Sequence, residues 1–371
     1  MSERLLASAT VEGTGRAAHP EPTFEGSPAP GGGQVERNGT TVRRIAKAVL
    51  RRPEAAVGLV AIAVIAITTL KSDTFLTSAD SRRDLLLAPA ILVLLAIGQT
   101  VVIITRSVDL SVGSILGLTA YATGRMFVDY PSLPWPVVLV IGVLLGALLG
   151  LVNGMLVAYG KVPALVITLG TLYIYRGIFL TWAGSDRVNA SDVPSRFLDL
   201  GTQQFVGMPV LTIFAVIVLV IVGYYLHTAR SGREFYAIGS DPDAALLYGL
   251  RVGRRVLSAF VICGALAGLA GVLHVARFGT VSSSAGVGIE LQAVGAAVIG
   301  GVAIFGGSGT VWGAAIGAFL LITINRALPV LGIPDFWQRA VVGALIITAV
   351  VLDRVMADRR ERRLAEERSA A

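Results

Sequence analysis

Residues 106–118 read RSVDLSVGSILGL and place an aspartate between two long uncharged segments. No charged residue occurs in 85–105 before it or in 110–124 after it. A charge near the centre of a bilayer costs about 2.5–3.5 kcal/mol on insertion scales, so such a residue needs a partner, water or a functional role. Asp109 is therefore a candidate for either a structural or a functional role.

The residues after Asp109 are small or hydroxylated and suit the start of a helix. We expect the Asp109 carboxylate to cap a helix that begins at Leu110, accepting backbone N–H bonds near Ser111 or Val112. We favour this capping role, with the helix start beside a polar pathway, over direct contact with a ligand.

The composition of the whole chain indicates a membrane protein. The 371 residues are 54% hydrophobic and 15% charged, whereas a soluble domain carries about 25% charged residues. A transmembrane helix needs about 20 predominantly apolar residues. Uncharged runs of sufficient length occur at 130–160, 200–226, 256–276 and 291–325. The sequence predicts an all-α, polytopic membrane protein.

We divide the chain into about ten transmembrane or re-entrant helices, and the Gly- and Ser-rich pieces at 109–127 and 290–306 are candidates for broken or re-entrant ones. The pieces are 54–70, 85–105, 109–127, 134–158, 162–182, 208–226, 256–276, 290–306, 310–327 and 336–353. Basic residues precede the first piece and follow the last, so the positive-inside rule places both termini in the cytoplasm. The net charge of the chain is +7, and its basic residues flank the apolar pieces. We therefore expect no nucleic-acid partner.

The ends of the chain differ from the membrane domain, which we place at 42–355. Residues 1–41 are rich in Gly, Pro, Ala and Ser, which predicts a disordered cytoplasmic tail. They contain no apolar h-region, so we predict no cleaved signal peptide. Residues 356–371 form a charged cytoplasmic tail. Cys263 is the only cysteine, which excludes a disulfide within the chain and a cysteine-based metal site.

Glycines predict how the helices pack. They recur every fourth residue from Gly142 to Gly154, and such a stripe lets two backbones approach closely in lipid. GALLG at 146–150 also resembles GAAIG at 313–317, five pieces later, which is weak evidence for the inverted repeat of many transporters.

Several other polar residues lie within or at the ends of the apolar pieces. Uncharged amides and hydroxyls suit recognition of a polyol, but interhelical hydrogen bonds are their commoner use. For Arg176, snorkelling to the outer interface and a buried partnership are equally weighted. With Asp109, the candidate pathway or structural residues are Ser111, Ser114, Gln99, Asn153, Arg176, Glu290, Gln292 and Asn325.

The basic segment 227–256 contains the signals of a short capped helix. Aspartate before proline is typical of a helix start, a second aspartate favours the first turn, and a glycine ends the helix. Such a helix is either a docking element or an ordered connector. Its residues are Asp241, Pro242, Asp243, Ala244, Ala245 and Gly249.

Sequence signatures of catalysis are absent. The chain has no G-x-x-x-x-G-K-[ST], H-E-x-x-H or G-x-S-x-G motif, and GGSGTVWG at 306–313 lacks the phosphate-binding lysine. We therefore predict that the chain is not an enzyme and has no catalytic, metal or cofactor site of its own.

At these motifs the chain resembles the permease subunits of ribose-, xylose- and rhamnose-type ABC sugar importers. The resemblance covers about 50–353 and departs from the family at 239–241, where Gly-Ser-Asp replaces the usual Gly-Gly-Asn. It rests on SVDLSVGSILGL, TLGTLYIYRGI, TARSGREFYAIGSDPDAALLYGL and LQAVGAAVIGGVAIFGGSGTVWGAAIGA.

The resemblance implies the partners and the transport mechanism. Two permease subunits, identical or different, would form a pathway through the lipid of the bacterial cell (inner or plasma) membrane, and an extracytoplasmic binding protein would deliver a monosaccharide. A separate ATPase pair would bind ATP and Mg and dock on the helix at 241–249. The stretch NRALPVLGIPDFWQ at 325–338 is most similar to permeases for rhamnose or autoinducer-2.

Two alternatives stay open. A permease for branched-chain amino acids or nucleosides belongs to the same superfamily, although DLSVGS favours sugars. An ion-coupled secondary carrier or channel would work without ATP, but the capped cytoplasmic helix and the lack of coupling carboxylates argue against it. An integral-membrane enzyme lacks a nucleophile or metal constellation.

Overall fold

Helices dominate the computed structural model, which describes residues 53–160, 162–334, 336–348, 350, 351 and 354. The first eight helices are α1 (Pro53–Lys71), α2 (Thr74–Thr77), α3 (Ala79–Leu87), α4 (Ala90–Ile104), α5 (Val112–Asp129), α6 (Trp135–Gly160), α7 (Ala164–Ala183) and α8 (Ser195–Thr202). The others are α9 (Val210–Thr228), α10 (Arg230–Ser240), α11 (Pro242–Leu247), α12 (Val252–Phe278), α13 (Ile289–Ile299), α14 (Val311–Val330) and α15 (Trp337–Thr348).

The connection from α7 to α9 holds the remaining regular structure of the described residues. It contains a 3₁₀ turn at Ala190–Asp192 and two short antiparallel strands, β1 (Gln204–Phe205) and β2 (Met208–Pro209). The predicted tails at 1–41 and 356–371 lie outside the described residues, so the predicted domain limits stay predictions.

The helices confirm the predicted all-α polytopic class. Within the part of the chain that the structure describes, seven stretches are long and apolar enough to cross a membrane: α1, α3 with α4, α6, α7, α9, α12 and α14. α13 and α15 are apolar but shorter, and α5 has 18 residues. Each of the ten predicted pieces thus corresponds to a helix or a helix pair.

The piece predicted at 290–306 differs from the structure in its second half. α13 ends at Ile299, and the chain then turns through glycines before α14 begins. Gly301, Gly306 and Gly307 have φ values of 89°, 83° and 74°, which residues with a side chain rarely adopt. The uncharged run continues through this turn, so charge patterning could not reveal it.

α4 forms the centre of the fold. Nearly every residue of α4 is buried, and it packs against α9, α12, α13 and α14. Its uniformly apolar sequence fits a helix that protein surrounds on all sides. By contrast, α6 and α7 bury only one face each and expose apolar side chains on the other.

The predicted glycine stripe joins α6 to α12, the helix pair with the most extensive contact. A Cβ atom on Gly146 would overlap the carbonyl of Gly264 and the backbone of Gly268, and one on Gly150 would overlap the carbonyl of Phe260. The stripe therefore serves close packing, and α12 contributes its own glycines to the same contact.

Candidate functional site

A polar cluster lies in the interior where α4, α5, α6 and α7 meet. Gln99, Asp109, Ser111 and Asn153 are fully buried, and Tyr175 is 4% exposed. Buried polar groups are costly unless they are hydrogen-bonded. We name these five residues the Asp109 cluster.

The Asp109 carboxylate accepts hydrogen bonds within this cluster. Its Oδ1 atom accepts from the backbone N of Ser111 at 2.9 Å and from the Ser111 hydroxyl at 2.7 Å. The Asn153 amide lies 3.4 Å from both carboxylate oxygens and donates to the Ser111 hydroxyl at 2.7 Å. The side chain of Gln99 pairs with the backbone of Asp109, donating to its carbonyl and accepting from its N–H.

The capping prediction is correct in its donor but wrong in its helix start. Asp109 accepts from Ser111 N as expected, but α5 begins at Val112 and not at Leu110. The residue at the cap position is Ser111, whose side chain makes no cap bond. Asp109 therefore closes a turn just before the helix and does not cap it.

Tyr175 is a member of the cluster that sequence reasoning missed. Its hydroxyl lies 2.9 Å from the Leu149 carbonyl and 3.2 Å from the Asn153 Oδ1, and it can donate to either. One feature of the sequence could have identified Tyr175: it stands inside the apolar piece 162–182, beside Arg176.

Hydroxyls also attach α7 to the neighbouring segments. The Ser114 hydroxyl donates to the Leu172 carbonyl at 2.9 Å, and the Thr168 hydroxyl donates to the Val108 carbonyl at 3.1 Å. These partners lie within the chain. Ser111, Ser114, Gln99 and Asn153 thus make contacts between elements, and the arrangement fixes segment 105–111 against three helices.

Arg176 and Glu290 occupy a second location, next to the segment between α12 and α13. The Arg176 Nη1 donates to the Ala285 carbonyl at 2.6 Å, and its guanidinium carbon lies 5.7 Å from the centre of the Phe179 ring. The Glu290 Oε1 accepts from the backbone N of Gly288 at 3.2 Å. Arg176 is half-buried, and its guanidinium binds protein groups as the partnership interpretation expects.

The remaining two candidates lie on α13 and α14. Gln292 is half-buried on α13, and Asn325 is half-buried on α14. The Asn325 Oδ1 is buried without a hydrogen-bond partner in the part of the chain that the structure describes. Neither residue joins the Asp109 cluster.

The basic segment 227–256 contains the short helix α11 with its predicted cap. The Asp241 Oδ1 accepts from the backbone N of Asp243 at 3.1 Å and of Ala244 at 3.0 Å, and Pro242 occupies the first helical position. α11 ends at Leu247, and Gly249 follows with φ 77°. Ala245 is buried, whereas Leu247 and the adjacent Tyr248 are 89% and 87% exposed.

Arg106 joins the segment before α11 to the segment that carries Asp109. Its Nε donates to the Gly239 carbonyl at 2.6 Å and its Nη2 donates to the Ser240 carbonyl at 2.5 Å. Arg106 has φ 63°, an uncommon value for a residue with a side chain. Arg106 thus connects the end of α10 to segment 105–111.

The glycine-rich turn before α14 contacts the end of α4 and also α10. The Gly307 N–H donates to the Ile104 carbonyl at 2.9 Å, and the Tyr236 hydroxyl donates to the Gly309 carbonyl at 3.1 Å. Burial raises the pKa of the Tyr236 phenol, so the group remains a proton donor at neutral pH. α10 is therefore attached both to segment 105–111 and to the turn before α14.

Among the described residues, no group of three His, Cys, Asp or Glu side chains could hold a metal ion. The polar groups bind one another and connect helices.

The family of the chain follows from its similarity to known proteins. Residues 82–350 match the family described as the permease component of branched-chain amino acid transport systems. The chain belongs to this family. Autoinducer 2 import system permease protein LsrC of Escherichia coli is 36% identical over 280 residues, which are 76% of this chain and 81% of the relative. The LsrC protein of Salmonella paratyphi B is also 36% identical, with 80% of the relative covered.

These relatives confirm the predicted class. The chain is a multi-pass membrane permease subunit of the sugar-type ABC importers. No solved structure matches the chain.

Proposed function

We propose that this permease subunit imports a small polyhydroxylated solute, ribose-like, rhamnose-like or autoinducer-2-like, when a partner ATPase hydrolyses ATP. The observation that carries the proposal is α11, a capped helix at whose end the side chains of Leu247 and the adjacent Tyr248 are exposed. An exposed Leu247 beside an exposed Tyr248 is typical of a contact surface for another protein.

Hydrogen bonds connect the proposed docking helix to the buried Asp109 cluster. α11 follows α10 directly, and Arg106 ties the end of α10 to segment 105–111. That segment contains Asp109, which binds Ser111 and Asn153. A displacement of α11 by the ATPase would therefore reach helices α5 and α6. For ATP to drive transport, the two states must differ in their contacts with the ATPase.

The substrate class is inferred from the relatives and from the charges. The named relatives import autoinducer 2, whereas the family description names branched-chain amino acids. An amino acid carries both charges and calls for charged partners. Arg176 and Glu290 already bind the backbone at Ala285 and Gly288, which favours an uncharged substrate.

The remaining partners complete the importer. A second permease subunit, identical or different, would provide the other wall of the pathway, and an extracytoplasmic binding protein would deliver the solute. ATP and Mg would bind to the ATPase and not to this chain. Both termini would be cytoplasmic, in agreement with the basic residues that flank the membrane domain.

Co-purification of the ATPase tests the proposal. The tagged chain is isolated in mild detergent from cells of its source, and the bound proteins are identified by mass spectrometry and assayed for ATP hydrolysis. Wild type is compared with Leu247→Asp and with Val206→Asp, an equally exposed position in the hairpin between β1 and β2. An ATPase should accompany wild type and V206D and be lost from L247D. Absence of an ATPase from all three, or its retention by L247D, would contradict the proposed docking.

A further inference from the structure

The segment between α12 and α13, residues 282–288 with the sequence SSSAGVG, descends into the membrane domain. It begins next to Val281, which pairs with Val188 near Gly124 of α5. At Gly286, two residues before its end, it packs against the backbone of Gly113. Gly113 and Gly124 lie eleven residues apart on α5, or about 16 Å of helix. Between Val281 and Gly286 the chain thus runs back along more than half of α5, one of the pieces predicted to lie in the membrane.

Two charged side chains hold this segment in place. Arg176 of α7 binds the Ala285 carbonyl, and Glu290 in the first turn of α13 binds the Gly288 N–H. The segment contains no helix or strand, and besides turn bonds such as that from the Ala285 N–H to the Ser282 carbonyl, contacts of this kind hold its backbone. Its position is thus fixed from two sides.

Hydroxyl groups cover the open face of the segment. Ser282, Ser283 and Ser284 are all exposed, and the hydroxyls of Ser282 and Ser284 lie 2.9 Å apart. Irregular backbone at membrane depth is tolerated only where protein buries it or where it lines a water-filled cavity. This chain does not bury the three serines, and three consecutive hydroxyls would be poorly solvated by lipid.

We propose that Ser282, Ser283 and Ser284 line a water-filled passage and bind the hydroxyl groups of an uncharged polyhydroxylated solute. The assignment of a substrate class rests on the proposed import function. A serine hydroxyl both donates and accepts hydrogen bonds, which matches the hydroxyls of a sugar. Arg176 and Glu290 bind the backbone of the segment itself. The groups that remain to bind a solute are therefore the serine hydroxyls and not these two charges.

Thiol labelling with a sugar-bearing reagent tests the proposal. The natural Cys263 is 1% exposed and is replaced by alanine to remove background. Ser283→Cys is then treated, in membrane vesicles of the full chain with its natural partners, with a methanethiosulfonate that carries glucose and does not cross membranes. The reagent is supplied on each side of the vesicles in turn, and adducts are detected by mass spectrometry.

Two matched variants provide the reference levels for full labelling and for no labelling. Ser191→Cys lies in the exposed 3₁₀ turn, and Leu148→Cys lies on the exposed apolar face of α6. We expect S283C to be labelled from at least one side to an extent similar to S191C, while L148C is not labelled. If S283C resists labelling from both sides as L148C does, lipid or a partner covers the serines and the proposal is wrong.

The result is independent of the ATPase experiment. Labelling of S283C without a co-purified ATPase would support the passage and contradict the import mechanism. An ATPase lost in L247D together with an unlabelled S283C would leave the import mechanism standing and overturn the serine passage.

Discussion

At the scale of the residue, Asp109 shows how a charge is accommodated among apolar helices. Its bond to Ser111 could be predicted from sequence, because the two residues are neighbours along the chain. Its contact with Asn153 could not, because it depends on how α6 packs against α5. Tyr175 escaped prediction for the same reason: it contacts Asn153 across two helices.

Replacement of Asp109 tests whether the cluster stabilises the fold. Asp109→Ala removes the acceptor of the Ser111 N–H, the Ser111 hydroxyl and the Asn153 amide. Since an unsatisfied buried polar group costs about 1–3 kcal/mol, we expect a loss of at least about 2 kcal/mol in the free energy of unfolding. Asp109→Asn retains one oxygen and should lose less. The measurement is thermal unfolding in detergent.

Asp73→Ala serves as the control for that series, because Asp73 is exposed and makes no side-chain cap bond. It should unfold as wild type does. Equal Tm values for D109A and D73A would show that the cluster does not stabilise the fold.

Arg106 is predicted to transmit movement and not to dock the ATPase. Arg106→Ala removes the hydrogen bonds to Gly239 and Ser240 but leaves the exposed face of α11 unchanged. We expect co-purified ATPase to stay at the wild-type level while solute uptake falls several-fold. The control is Arg233→Ala, since Arg233 also donates to a carbonyl on this side, that of Thr228. Normal uptake by R106A would exclude the proposed route through Arg106.

At the scale of the element, helices with local signals were predictable. α11 has its aspartate, proline and glycine within nine residues, and each acts on its immediate neighbours. The end of α13 at Ile299 had no such local mark in the charge pattern. The glycine stripe of α6 predicted a close contact, but the sequence of α6 alone does not specify that α12 is the partner.

Gly146→Val tests the contact between α6 and α12. A side chain there would overlap the backbone of Gly264 and Gly268 and force the helices apart. Overpacking of this kind typically costs about 1–3 kcal/mol, and overlap with rigid backbone of α12 should place G146V at the upper end. We expect a lower Tm and a smaller monodisperse fraction in size-exclusion chromatography.

The matched variant is Gly170→Val in α7, where open space surrounds the position of the new side chain. It introduces the same helix-propensity change without an overlap. If G170V is as damaged as G146V, the loss reflects helix propensity and not the α6–α12 contact.

At the scale of the whole molecule, the predicted orientation can be tested with two exposed positions. Val206→Cys lies in the connection between α7 and α9, and Tyr248→Cys lies directly after α11. With a membrane-impermeant thiol reagent outside intact spheroplasts, V206C should be labelled and Y248C should not. After lysis both should be labelled. Labelling of Y248C in intact spheroplasts would reverse the predicted orientation.

The class and the approximate spans of the molecule were predictable because hydrophobic length and charge placement are local properties. The descent of segment 282–288 was not, because it depends on contacts of Gly286 with Gly113 and of Arg176 with Ala285. These contacts join residues more than 100 positions apart.

Energy coupling is the central claim, and vesicle transport tests it most directly. The chain is reconstituted with its co-purified partners, and uptake of labelled autoinducer 2, ribose and rhamnose is measured with and without ATP. The account predicts that uptake of at least one solute requires ATP and continues when ionophores collapse all ion gradients. Accumulation by the chain alone, without ATP and driven by an ion gradient, would contradict it.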